Sequence, residues 1–155
     1  MTLPGGGRAA SHVTVTGVVQ GVGFRPFVDR LARRHALAGW VRNTAGSVEI
    51  EVEGAPLDLE LFAAALRTDA PPLARIDVVQ VRQVTPHGER DFAILESDDA
   101  PSATPAVPAD VGLCDACAEE FGDPHSRRYL YPFITCTDCG PRHSVIERLP
   151  YDRAR

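Results

Sequence analysis

Between Gly17 and Arg25 the chain reads Gly-Val-Val-Gln-Gly-Val-Gly-Phe-Arg, with a β-like run before it and a helix-like run after it. Gly21 and Gly23 remove the side chains that would keep a backbone from wrapping a ligand, so successive N–H groups can converge on one set of oxygens. Arg25 closes this cradle with a permanent, fork-shaped positive charge. Pro26 suits the first turn of a helix, whose N-terminus also favours an anion. Phosphate is the natural guest of Gln20, Gly21, Val22, Gly23, Phe24 and Arg25. The plain alternative is a tight strand-to-helix turn with no ligand.

The other chemistry-bearing residues are cysteines. All four lie between Cys114 and Cys139, as the pairs Cys114/Cys117 and Cys136/Cys139. Each CxxC pair can grip a metal from one tight turn, and four thiolates suit tetrahedral zinc. With every position filled by sulfur, such a zinc is structural. Two disulfides or a redox pair are the alternatives; a cytosolic setting disfavours the first, and duplication the second. His125 and His143 flank the pairs, and four cysteines make them unnecessary as ligands.

These groups need a scaffold. Met1 to Ala10 is glycine-rich and aperiodic, and reads as a disordered tail. Val13 and Val15 alternate with polar neighbours over His12–Thr16, which predicts a half-buried strand running into the glycine loop. Phe27 and Leu31 then fall at helical spacing from Pro26 to His35, and the helix should stop near Ala36, where the exit wants a left-handed residue. Gly39–Asn43 and Ser47–Gly54 form a predicted hairpin, with Val48, Ile50 and Val52 inward and Glu49, Glu51 and Glu53 facing water. Pro56 opens a second helix with an apolar stripe of Leu59, Phe62, Ala63 and Leu66, ended by Ala70-Pro71-Pro72. Ile76–Val84 is a further strand, and Asp91–Glu96 a short last one. Trp40 and Phe24 are expected in the core, and His12, His35 and His87 at the surface or in packing.

The order βαββαβ plus an edge strand predicts a ferredoxin-like α/β sandwich of the α+β class over residues 11–97, two helices on one face of a mainly antiparallel sheet. RNA-binding domains share this topology but stack bases on strand aromatics, whereas His12–Thr16 has none and the wet face of Val48–Glu53 is acidic. Residues 98–110 read as a proline-containing linker, and 111–155 as a small, truncated zinc-finger module, in which Phe121, Tyr129, Leu130, Tyr131 and Phe133 offer what there is to pack.

Hydrophobic residues make up 44% of the chain and charged ones 24%, as in a globular protein, and no apolar run approaches a membrane span. The expectation is a cytoplasmic protein without membrane contact. A net charge of −5 argues against a nucleic-acid partner, although Arg127, Arg128, Arg142, Arg148, Arg153 and Arg155 gather near the cysteines.

Gly17–Arg25 together with Gly39-Trp40-Val41-Arg42-Asn43 resembles the acylphosphatase family. That resemblance implies that the glycine loop binds the phosphate of an acyl phosphate, that Arg25 clamps it, and that Asn43 positions the attacking water. Gly46 departs from the pattern, since small acylphosphatases usually place a glycine one residue later, where Ser47 stands; relatives also usually carry glycine at Ala36. The cysteine region, with Arg127–Phe133, Gly140-Pro141-Arg142 and Leu149–Arg153, is similar to the finger of the hydrogenase maturation carbamoyltransferases of HypF type, which begin with an acylphosphatase domain. That similarity implies carbamoyl phosphate as substrate, further C-terminal carbamoyl-transfer domains as partners, and a sequence that is the N-terminal part of such a protein. Hydrolysis of an acyl phosphate needs no metal at the reacting centre, because the leaving group is already good. A non-catalytic phosphate-binding or docking module with a structural zinc is the alternative.

Overall fold

The computed structural model describes residues 7–98 and 111–140. Strands β1 (Ala9–Val18), β2 (Ala38–Asn43), β3 (Val48–Gly54), β4 (Arg75–Val84) and β5 (Phe92–Ile94) form one sheet in the order β4-β1-β3-β2-β5. All neighbours are antiparallel except β2 and β5, which run parallel at the edge. Helices α1 (Phe24–Arg34) and α2 (Pro56–Thr68) follow β1 and β3, and α3 (Asp115–Gly122) belongs to the cysteine region.

The alternating strands put Val13, Val15, Val41, Val48, Ile50 and Val52 on the helix side, where they are buried with Phe24, Phe27, Val28, Leu31, Phe62 and Leu66. This is the α+β sandwich that the periodicities predict. Strand β1 begins earlier than expected: Ala9 pairs with Gly54, inside the segment read as a tail, and Met1–Pro4, Gly5 and Gly6 lie outside the described residues.

Helix α1 also starts earlier, at Phe24, because Gly23 takes a left-handed conformation (φ 75°) and serves as its N-cap. Arg25 therefore sits inside the first turn. The helix stops as expected: Ala36 has φ 52°, and the Leu37 N–H reaches back to the Ala32 carbonyl at 2.9 Å. Around the β2–β3 turn neither Gly46 nor Ser47 has a positive φ, so the displaced glycine is immaterial. The turn is instead closed by the Thr44 N–H on the Ser47 carbonyl (2.9 Å) and by the Ser47 N–H on the Thr44 hydroxyl (3.2 Å).

Two residues lie elsewhere than the alternation suggests. Glu53 does not face water. It is completely buried on the open side of the sheet, where the N–H groups of His87, Gly88 and Glu89 donate to its carboxylate and the Arg8 guanidinium lies 3.8 Å away. Burial alone would push its pKa up, but these donors outweigh it and hold the carboxyl below its usual value. Trp40 is not a core residue. It lies half-buried on that same open face, edge-on to His12 at 6.1 Å between ring centroids, with the Arg42 guanidinium 5.1 Å over its ring.

Candidate active site and metal centre

Where β1 runs into α1, Gly21 (φ 71°) and Gly23 (φ 75°) flank Val22 in left-handed geometry. Alternation of this kind turns successive N–H groups toward one side, which is the backbone form of an anion-binding nest. The first turn of α1 carries no acidic residue and no side-chain cap, so its positive end faces the loop unneutralised. Val22 and Phe24 are 1% exposed, with their side chains in the core, and what they present to a ligand is main chain.

Beside this loop lies a cleft of about 140 Å³. Arg25 from α1 and Asn43 from the end of β2 both line it, together with Gln20, Gly21 and Gly23. Asn43 is buried, and its main-chain oxygen accepts the Asp98 N–H at 2.9 Å; Asp98 also lies 3.6 Å from the Arg42 guanidinium. Residues far apart in sequence thus meet at one concavity because β1 and β2 both pair with β3 and end near the same rim.

Gln20 has a part that the glycine pattern does not reveal. Its side-chain amide turns away from an anion and donates to the Thr44 carbonyl (2.7 Å) and to the Ser47 carbonyl (3.3 Å). What Gln20 offers an anion is its backbone N–H. The side chain staples the glycine loop to the β2–β3 turn, next to Asn43. From that turn the chain of hydrogen bonds runs on through Ser47 Oγ to Glu49 (2.7 Å), and Glu49 also meets His12 (2.5 Å) and Thr14 (2.9 Å). Burial opposes ionisation of Glu49, yet Ser47, His12 and Thr14 hold its pKa below the usual value. His12 therefore acts in the open-face network, and His87 and His35 lie away from the cleft lining.

Cys114 caps α3 and Cys117 sits in its first turn, while Cys136 and Cys139 bracket a knuckle closed by the Gly140 N–H on the Cys136 carbonyl at 2.9 Å. All four Sγ atoms lie within 4.8 Å of one another. The four cysteines are free thiols, and the separations Cys114–Cys136 (3.5 Å), Cys117–Cys139 (3.7 Å) and Cys136–Cys139 (3.8 Å) are longer than a disulfide bond. They match the edges of a tetrahedron of sulfurs, about 3.8 Å for metal–sulfur bonds of about 2.3 Å. Burial pushes the Cys117 thiol far up, whereas at Cys139 the Cys136 N–H and the neighbouring thiols outweigh burial and bring the pKa down to about 7. Four thiolates this close repel one another unless a dication sits among them, so the donor set fits a metal. His125 is not in the cluster.

Of the residues expected to pack this module, Phe121 does so, partly buried against the cysteine cluster, and the others do not. Tyr129, Leu130, Tyr131 and Phe133 are exposed, and Ile134 is the buried apolar residue, packed with Cys117 and Cys139. Tertiary order comes from Arg128, which pairs with Glu120 and donates to the Thr135 carbonyl at 2.7 Å. That commitment removes it from any nucleic-acid surface. Arg142, His143, Arg148, Leu149–Arg153 and Arg155 lie outside the described residues.

Comparison with known proteins gives the same order of domains. Residues 11–94 match the acylphosphatase family model, and residues 113–146 match the HypF finger. The carbamoyltransferase HypF of Rhizobium leguminosarum bv. viciae is 52% identical over 92% of the chain, which covers 18% of that relative. An acylphosphatase of Nocardioides sp. is 47% identical over 56% of the chain and 88% of its own length. A crystal structure of full-length HypF in a phosphate- and nucleotide-bound form superimposes with a TM-score of 0.86 at 44% identity, over 94% of this chain and 19% of that one. The chain thus spans about a fifth of the length of the HypF relatives it matches. It belongs to the acylphosphatase family, in the group whose members carry a HypF finger behind that domain.

Proposed function

We propose that residues 11–97 hydrolyse acyl phosphates, releasing inorganic phosphate and a carboxylate or carbamate. The observation that carries this reading is the meeting of Arg25, Asn43 and the left-handed glycine loop at one cleft. The N–H groups from Gln20 to Arg25 and the Arg25 guanidinium hold the phosphoryl oxygens and favour the charge of the transition state. Asn43, with one carbonyl and one amide to offer, orients a water in line with the leaving carboxylate. Gln20 keeps the two halves in register. The mechanism routes no step through a metal, and zinc held by Cys114, Cys117, Cys136 and Cys139 is structural.

In the longer relatives named carbamoyltransferase, the same chemistry on carbamoyl phosphate would supply carbamate to further domains. Exposed Tyr129, Leu130, Tyr131 and Phe133 support a docking face for those domains on the finger. Among the described residues no helix is long and apolar enough to cross a membrane, and reduced thiolates suit the cytoplasm, where we place the protein.

Rates on acetyl phosphate and carbamoyl phosphate test the reading. Arg25→Ala and Asn43→Ala should each lower kcat/KM by roughly 10²–10³-fold, the size of losing one transition-state donor. Wild-type rates no higher than those of the two variants would leave a phosphate-binding module without catalysis.

A further inference from the structure

The cleft has a second wall, and it comes from the cysteine region. Cys136, Thr137 and Gly140 line it together with Arg25. The approach is backbone on backbone. A Cβ on Gly23 would stand 1.9 Å from the Thr137 carbonyl oxygen, and a Cβ on Gly140 would stand 1.7 Å from the Gly21 carbonyl oxygen. Both glycines have positive φ, 75° and 67°, so a side chain at either is excluded by space and by conformation alike.

We propose that the knuckle Cys136–Gly140 is the specificity wall of the acyl-phosphate site, admitting small acyl groups and excluding bulky ones, and that metal binding by the four thiolates holds it there. This rests on the hydrolase reading above and adds the substrate class. A cavity of about 150 Å³ takes a benzene-sized guest. The cleft of about 140 Å³ holds a phosphoryl group with a short acyl such as acetyl or carbamoyl, and the ring of an aromatic acyl phosphate has to extend past its lining, where the knuckle stands beside it. The knuckle's own position depends on sulfur. Its N–H groups at Asp138 and Cys136 point to Cys136 Sγ (3.3 Å) and Cys139 Sγ (3.5 Å), and among the described residues the cluster adds to the thiols a buried Ile134 and a partly buried Phe121. A ligand that fixes the four sulfurs fixes the wall.

The test uses the full, zinc-loaded chain, with methylphosphonate and phenylphosphonate as non-hydrolysable probes in calorimetry, and acetyl and benzoyl phosphate in parallel assays. Zinc-loaded protein should prefer methylphosphonate at least about tenfold. Stripping the metal with a chelator should shrink that preference to within about threefold, as should Gly140→Ala with its zinc content verified. The hydrolysis ratio should move the same way. If Gly140→Ala does not fold, chelation alone decides, with circular dichroism confirming that the sheet persists. A preference unaltered by the perturbation, or absent at the start, overturns the wall. Phosphonate discrimination without any acyl-phosphate hydrolysis sinks the hydrolase reading and leaves the wall standing, whereas no binding of methylphosphonate or inorganic phosphate sinks both.

Discussion

At the scale of single residues, two buried polar side chains do work that no motif announces. Gln20 and Glu53 both bind main-chain groups, Gln20 those of Thr44 and Ser47, Glu53 those of His87, Gly88 and Glu89. Arg25 and Asn43 were legible because their side chains belong to a recurring pattern; the partners of Gln20 and Glu53 are backbone atoms, which every residue has and no sequence marks. Gln20→Leu should cost about 1–3 kcal/mol, since two carbonyls lose their donor, and should lower kcat more than it raises KM by loosening Asn43 against the loop. Thermal unfolding and steady-state kinetics on acetyl phosphate check the two parts. Glu53→Gln should destabilise by a similar amount near neutral pH. Because the folded-state pKa of Glu53 is depressed, its contribution is present above the unfolded carboxylate pKa and fades as pH falls through the lower folded value. The stability gap between wild type and Glu53→Gln should therefore close in acid and stay open at neutrality.

Among elements, the two helices and the hairpin follow from periodicity and turn residues, and the departures have local causes. Helix α1 begins at Phe24 because a left-handed glycine can cap it, and a glycine that belongs to a loop motif gives no sign in the sequence that it also caps a helix. Trp40 was expected inside because aromatics usually are. Its strand position places it with Arg42 on the open face, and the pleat overrode the side chain's apolarity. The exit of α1 was foreseen, and it leaves a correctable flaw: exposed Ala36 at φ 52°. Ala36→Gly should raise stability by about 0.5–1 kcal/mol, seen as a Tm higher by several degrees, since relief of the left-handed strain exceeds the entropy that glycine gives up.

On the scale of the whole molecule, the sheet and the cysteine region differ in what keeps them folded. The sheet has a broad apolar core, whereas the buried cluster of the cysteine region is Cys117, Ile134 and Cys139. Chelation should therefore melt the finger and spare the sheet, so the stripped chain should show the sheet's transition alone in denaturation, with the finger's signal already lost before denaturant is added. Composition foretold that imbalance; it did not foretell that Thr137 and Gly140 press on the glycine loop, because that contact is made by carbonyls and missing side chains. One further tie has a mechanical meaning. The Asp98 N–H is fastened to the Asn43 carbonyl, and Asp98 follows the edge strand β5 by four residues. Any displacement of the segment after β5 therefore reaches the residue proposed to aim the solvent through one main-chain hydrogen bond, which makes that short stretch a handle on turnover.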